Sequence, residues 1–548
     1  MSSAKYIGAK DMELQPLVIE PPPDRTKASG ESEGPCQCCL KQDRSTWMKI
    51  CCGCCCCQLV TIVIFVMIVI HKCTFEVYGT TFTFSNYIRP NARYLAMGMA
   101  NNHSLTRWYK SMASEDNPLI GLPFPNTQMF YGWQDVKHIL SDFGPRIRKG
   151  TMKRYNELGI TIQNSKMWPL VGTIALGLPN PEHAIVRPWL GKSLDGARGR
   201  ANEDCDGSTC WNSKWLHRVF RKQFASQSSF SNADLKWMCT KVFHKVHLNL
   251  DISDAYAQEF GTWMTFFLIP QPIPPDLIAW WPVEWVIGAM GVLETKAKFM
   301  YVIKEAITAK WPNEDWKGKL DLMASAIMDS LALAGGLSVP TVLDYMIALL
   351  FMKDSPVDMS VADIADTSKL HDFMLETMRR FPPVAGVPRW ITDDDGETWQ
   401  HQIPNVAQAL WDPAIFPKPL EMVIGRPGLN SEDSSLSIGW ADFALVNGNV
   451  SDGDSHACPG KHLSIQLMAA FLKEFAAAGP WVVESDDITL TNYQTTGWTV
   501  KKQGTSVAPE EPETQSESDE KPPRASTPPG VRLCQALPWI CNKPLDVA

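Results

Sequence analysis

A cysteine standing just ahead of a strongly apolar helix constrains this chain more than any other feature. Cys458 lies in Ser455-His456-Ala457-Cys458-Pro459-Gly460-Lys461, and the helix is predicted from about His462 to Phe475. A lone cysteine is more often a small core hydrophobe or a surface thiol than a ligand. The segments upstream change that weighting. Glu376-Thr377-Met378-Arg379 puts an acid and a base at i and i+3, on one helix face. Phe381-Pro382-Pro383-Val384 ends that helix, because proline cannot continue it. Trp411-Asp412-Pro413-Ala414-Ile415-Phe416 follows, and Arg426 stands ten residues beyond Phe416.

These elements, in this order, resemble the cytochrome P450 superfamily over roughly Pro123 to Gln503. The resemblance implies a mainly α fold with small β-sheets and a haem b held by a cysteine thiolate, here Cys458, whose electron density favours O–O cleavage. It also implies that Glu376, Arg379 and Arg426 form a buried acid–arginine–arginine cluster bracing the haem loop. Read alone, Glu376 and Arg379 would be an exposed helix pair of small energetic weight.

Further residues take roles through the same resemblance. Asn180-Pro181-Glu182-His183-Ala184-Ile185-Val186-Arg187 looks like the start of a helix, with Pro181 and Glu182 suited to its first turn. His183 and Arg187, at i and i+4, resemble the pair that holds haem propionates. Arg389 in Val387-Pro388-Arg389 and His456 resemble further propionate donors. Charge-assisted hydrogen bonds of this kind are the strong ones. A rival assignment gives the propionate role to His217 and Arg221, in a basic amphipathic stretch expected to cover a solvated face.

The stretch Ala332-Leu333-Ala334-Gly335-Gly336-Leu337-Ser338-Val339-Pro340 departs from the monooxygenase pattern. Leu337 occupies the position of the proton-relaying acid, and Ser338 that of the alcohol. Gly-Gly followed closely by proline resembles the fatty acid hydroperoxide branch, allene oxide synthases and hydroperoxide lyases. Those enzymes need neither O2 nor a reductase, because the substrate brings its own O–O bond. The approach to the cysteine, Asn447-Gly448 and then nine residues to Cys458, resembles the same branch. Ala332 departs from it, standing where that branch carries an asparagine. Seven residues separate Pro404 from Asp412, fewer than the family's strand occupies there, so the sheet beside the pocket is expected to be trimmed.

The expected activity is rearrangement or cleavage of a fatty acid hydroperoxide, with Cys458 and Ser338 at the reacting centre. Two alternatives stay open. One is a reductase-dependent monooxygenase of a lipophilic substrate; the other is a catalytically silent haem scaffold. The aromatic run from Trp263 to Pro282 is expected to roof a pocket for a lipid-like substrate, with core packing as the competing reading. A net charge of −8 gives no case for nucleic acid.

Ten of the 16 cysteines fall in the first 73 residues, many in Cys51-Cys52-Gly53-Cys54-Cys55-Cys56-Cys57. The apolar run Leu59–Ile70 is short for a span, but counted from Cys51 it reaches about twenty residues, which is enough. Residues 51–72 are therefore expected to anchor the chain to an endomembrane such as the endoplasmic reticulum, with S-palmitoylation favoured over zinc binding by the adjacent cysteines. Lys41, Arg44 and Lys49 before the run weakly place the N-terminus in the cytosol, whereas the family resemblance favours a cytosolic catalytic domain. Residues 1–50 and 504–548, proline-bearing and lacking apolar periodicity, are expected to be disordered tails around a 73–503 domain.

Overall fold

The computed structural model describes residues 74–77, 80–83, 127–141, 182–194, 204–207, 210–268, 292–384, 389–392, 399–429, 438–441, 444, 446–484, 487–490, 495 and 497–503. The expected tails and the anchor at 51–72 lie outside these residues. So does the expected aromatic roof beyond Leu268.

The described residues are mainly helical, with small sheets, as the sequence predicts. In chain order they run β1 (Thr74–Val77), β2 (Thr80–Thr83), β3 (Thr127–Phe130), α1 (Trp133–Ser141), α2 (Glu182–Leu194), α3 (Ser213–Ala225), β4 (Ser229–Ser231), α4 (Asn232–Leu248), α5 (Asp254–Leu268), α6 (Val292–Lys310) and α7 (Leu320–Ser330). A π-helical segment (Leu331–Ser338) joins α7 to α8 (Val339–Phe351). Then come α9 (Thr367–Arg380), β5 (Arg389–Thr392), β6 (Trp399–Pro404), α10 (Val406–Ala409), α11 (Lys461–Ala478), β7 (Trp481–Val483) and β8 (Thr499–Lys502).

The strands pair in three small sheets, ordered β1-β2, β3-β6-β5 and β4-β8-β7. In the second sheet β3 runs parallel to β6 and β5 antiparallel to it. The residues after Pro404 turn at once into α10, whose N-terminus is capped by the Asn405 side chain accepting from Gln408 N–H. No described strand lies between Pro404 and Asp412, in agreement with the trimmed sheet expected there.

Among the described residues the longest helix is the continuous run α7–π–α8, Leu320–Phe351. It is apolar enough to cross a membrane by composition, but two thirds of its most apolar window is buried inside the protein, so it serves here as a core helix. The π geometry has a local cause. Pro340 has no N–H to donate back along the helix, and the N–H of Val339 reaches Ala334 O, five residues back. Gly335 lets α4 come close, since a Cβ there would stand 3.0 Å from the Phe243 side chain. The π segment packs against α4 and α5.

α3 and α11 form the most extensive helix pair. The stretch read as a basic amphipathic helix turns its apolar side inward, with Trp215, Leu216, Phe220 and Phe224 buried. Phe224 meets Phe230, Phe471, Phe475 and Trp481 edge to face, while Phe475 stacks on Phe471 and Trp481. A smaller cluster joins Trp133 and Val136 of α1 to Val406, Leu410, Trp411 and Phe416.

Candidate functional site

Local sequence first fixes the frame of the site. α9 starts where Asp366 accepts from the N–H groups of Ser368 and Lys369, and it stops at Arg380, before Phe381-Pro382-Pro383. Its last turn carries Glu376 and Arg379 on the buried side, both essentially free of solvent. Arg379 grips the carboxylate with two bonds of 2.8 Å and sends Nη1 to the carbonyls of Leu410 and Pro419. Arg426 reaches the same carboxylate at 3.1 and 3.2 Å, and the Val423 N–H adds a bond of 2.9 Å. Two cations and an amide therefore satisfy one buried acid, the condition under which such a cluster holds together. The tryptophan–aspartate–proline segment locks onto it: Trp411 Nε1 donates to Arg380 O, and Phe416 lies under the Arg379 guanidinium. Asp412 also caps α1 by accepting from Trp133 N–H.

The cysteine loop lies against α2. Asn447 and Gly448 both take positive φ, 52° and 63°, the pairing that asparagine–glycine turns favour. The chain then passes through Val450, Ser451 and Gly453 to His456 and Cys458. α2 meets it with residues 183, 184, 187 and 191, which share a face because successive turns of a helix repeat at four. His183 Nδ1 donates to Gly453 O at 2.7 Å. Arg187 donates from Nε to Val450 O at 2.6 Å and from Nη2 to Ala457 O. Two close approaches seal the seam: a Cβ on Gly191 would stand 2.8 Å from the Ser451 backbone, and one on Gly453 would stand 3.2 Å from that of Ala184.

The His183 and His456 rings stack at 4.0 Å, tilted by 12°. His183 and Arg187 are each 1% exposed and His456 5%. Burial pulls the Arg187 guanidinium down to about 10, against the pull of Cys458 in the other direction. That value still leaves it charged at neutral pH. Cys458 is half-exposed, its N–H bonded to Trp440 O at 2.8 Å, and it precedes the first turn of α11. A cationic neighbour and a helix N-terminus both favour a thiolate.

The structure thus gathers His183, Arg187, His456 and Cys458 at one place and Glu376, Arg379 and Arg426 at another. Arg389 starts β5, opposite Gln402; its side chain lies outside the described residues. Ser338 is half-buried at the end of the π segment, and Leu337 beside it is buried. The rival pair goes elsewhere: His217 Nδ1 and Arg221 both bind Glu474 of α11, at 2.8 Å.

Sequence reasoning missed a buried polar contact behind the site. His247 of α4 lies between Ser193 Oγ of α2 at 3.2 Å and Ser330 Oγ at 3.0 Å, just before the π segment. Ser193 spends its proton on Leu190 O, so His247 Nδ1 donates to it and Nε2 accepts from Ser330. Burial holds this imidazole neutral, pushing it down to about 3. No spacing in the sequence points to these three residues, because each comes from a different helix.

No protein-family model matches the chain, and no curated protein matches it. Solved structures resemble it at low identity. A mutant of P450 EryK in complex with erythromycin B is 17% identical, covering 74% of this chain and 97% of that one, with a TM-score of 0.48. A thermophilic cytochrome P450 from Sulfolobus tokodaii is 15% identical, covering 72% and 99%, with a TM-score of 0.46. P450BioI in complex with an acyl carrier protein carrying hexadec-9Z-enoic acid is 14% identical, covering 74% and 98%, with a TM-score of 0.47.

Proposed function

We propose that this chain is a haem-thiolate enzyme of the cytochrome P450 type that rearranges or cleaves a fatty acid hydroperoxide. The observation that carries the reading is the convergence of His183 and Arg187 on the loop that bears His456 and Cys458. The donor set suits haem b: one thiol able to ionise, beside cationic and imidazole groups able to meet carboxylates. Bound there, haem supplies the redox-active iron that breaks an O–O bond. Cys458 is its ligand, and Arg187 keeps the loop in place while balancing the thiolate. Arg389 joins the propionate donors in the same proposal.

The absence of an acid at Leu337 favours a substrate that needs no proton relay. A buried leucine cannot move a proton, whereas a hydroperoxide arrives with its oxygen already reduced. A second reading, a reductase-dependent monooxygenase, draws on Ser338, which keeps the alcohol beside the relay position. A membrane-associated location, anchored through residues 51–72, belongs to the same proposal and suits a lipid-like substrate.

The test is anaerobic. Haem-loaded protein is mixed with an unsaturated fatty acid hydroperoxide, without NADPH or reductase. Consumption that Cys458→Ala abolishes is expected. Consumption only with NADPH and a reductase would give the second reading. A Cys458→Ala variant that kept a thiolate-type carbon monoxide spectrum would defeat both.

A further inference from the structure

Three features outside the reacting centre agree on where this domain resides. The first is Cys205 and Cys210, buried and bridged, with Cα atoms 5.6 Å apart. Gly207 turns the loop between them at φ 84° and donates to Cys210 O at 3.0 Å. A Cβ on Gly207 would collide with Trp215, so the chain at Gly207 lies close against α3. Arg218 binds Asp204 at 2.7 Å and also the Cys205 carbonyl, and Trp211 Nε1 donates to Ser193 O at 3.0 Å. Disulfides of this structural kind persist in oxidising compartments and are rare where thiols are kept reduced.

The second feature is Asn449-Val450-Ser451, an N-x-[ST] glycan acceptor whose middle residue is not proline. Asn449 is exposed at the turn after Asn447-Gly448. Its Oδ1 accepts from Ser451 N–H at 2.9 Å, leaving the amide nitrogen outside that bond. The flanking residues face inward, Val450 O toward Arg187 and Ser451 against Gly191, so a glycan on Asn449 need not disturb the cysteine loop. The third and weakest feature is charge: Lys41, Arg44 and Lys49 precede the apolar run and His71 and Lys72 follow it, a small excess that favours the cytosol for the N-terminal side.

We propose that the domain lies on the oxidising, glycosylating side of its membrane, with Cys205–Cys210 a permanent disulfide and Asn449 an N-glycan acceptor. The inference stands independently of the catalytic reading. It also separates the domain from cytosolic NADPH-linked reductases, which a hydroperoxide substrate makes unnecessary.

The test uses the full chain in eukaryotic cells with an intact secretory pathway. Peptide N-glycosidase treatment is expected to increase gel mobility. A second sequon, Asn102-His103-Ser104, gives its own step, so Asn449→Gln and Ser451→Ala should each lose one step and Asn449→Gln with Asn102→Gln should lose all. In the denatured chain, the peptides holding Cys205 and Cys210 should resist maleimide until a reductant is added. The inference is overturned if Asn449→Gln and the parent shift identically, or if both cysteines label fully without reductant. Neither readout depends on haem, so a failure here is distinguishable from a failure of the catalytic reading.

Discussion

Arg187 donates to the carbonyl of Ala457, the residue immediately before Cys458. One guanidinium on α2 thereby sets the height of the cysteine loop, and its Nε fixes the same loop at Val450. Lysine offers no fork of this shape. Arg187→Lys is expected to lose haem during gel filtration, and Arg187→Ala to lose it further. His217→Ala and Arg221→Ala, whose parents bind Glu474, should retain haem like the parent protein. Equal haem loss from both pairs would remove the assignment of His183 and Arg187.

The α2–loop seam is so tight that one methyl group should be felt. Gly191→Ala would drive its Cβ into Ser451, backbone included. Overpacking of this kind costs about 1–3 kcal/mol. A lowered thermal midpoint and weaker haem retention are expected together. An unchanged midpoint would mean that the helix and the loop are not held at this distance.

The Glu376 carboxylate neutralises two arginines out of solvent. Glu376→Gln keeps the shape and removes the charge, leaving buried cations unbalanced, at about 3–5 kcal/mol. Urea unfolding measures the loss. A change under about 1 kcal/mol would be the size of a surface pair and would contradict the burial.

Acid should destabilise the protein through two histidines. Burial lowers His244 to about 4 and His247 to about 3, from an ordinary value of 6.5. Between these limits the unfolded chain binds more protons than the folded one, so stability is complete above about pH 6.5 and falls as the pH drops. Each histidine contributes a slope of about 1.4 kcal/mol per pH unit inside its window. His247→Gln should unfold with a shallower pH dependence between pH 4 and 6 than the parent. Parallel curves would refute the neutral, buried imidazole.

The parts legible in the sequence were those written as short-range spacing. Glu376 and Arg379 share a helix turn, His183 and Arg187 share another, and the prolines at 382 and 383 mark a boundary; each is where the spacing puts it. Less legible were contacts whose partners come from separate elements. Ser193, His247 and Ser330 carry no common motif, and Cys205 and Cys210 are bridged through a turn that depends on Gly207 fitting under Trp215. The amphipathic pattern of α3 was legible too, with Trp215, Leu216, Phe220 and Phe224 on its buried side, but its partner α11 was not. The π geometry was invisible for another reason: its cause, Pro340, reads equally well as the first turn of a new helix.

That π segment changes what a position number means along the longest helix. Each turn widened to reach five residues back rotates everything beyond it relative to an ideal α spiral, by about 100° for each extra residue. Leu337 and Ser338 therefore present themselves differently to an observer counting forward from Leu320 and to one counting back from Phe351. Shortening the segment by one residue would turn α8 about its own axis relative to α7. The twist in this helix is thus a register mark, and the chain's sequence can be aligned to its neighbours on one side of it at a time.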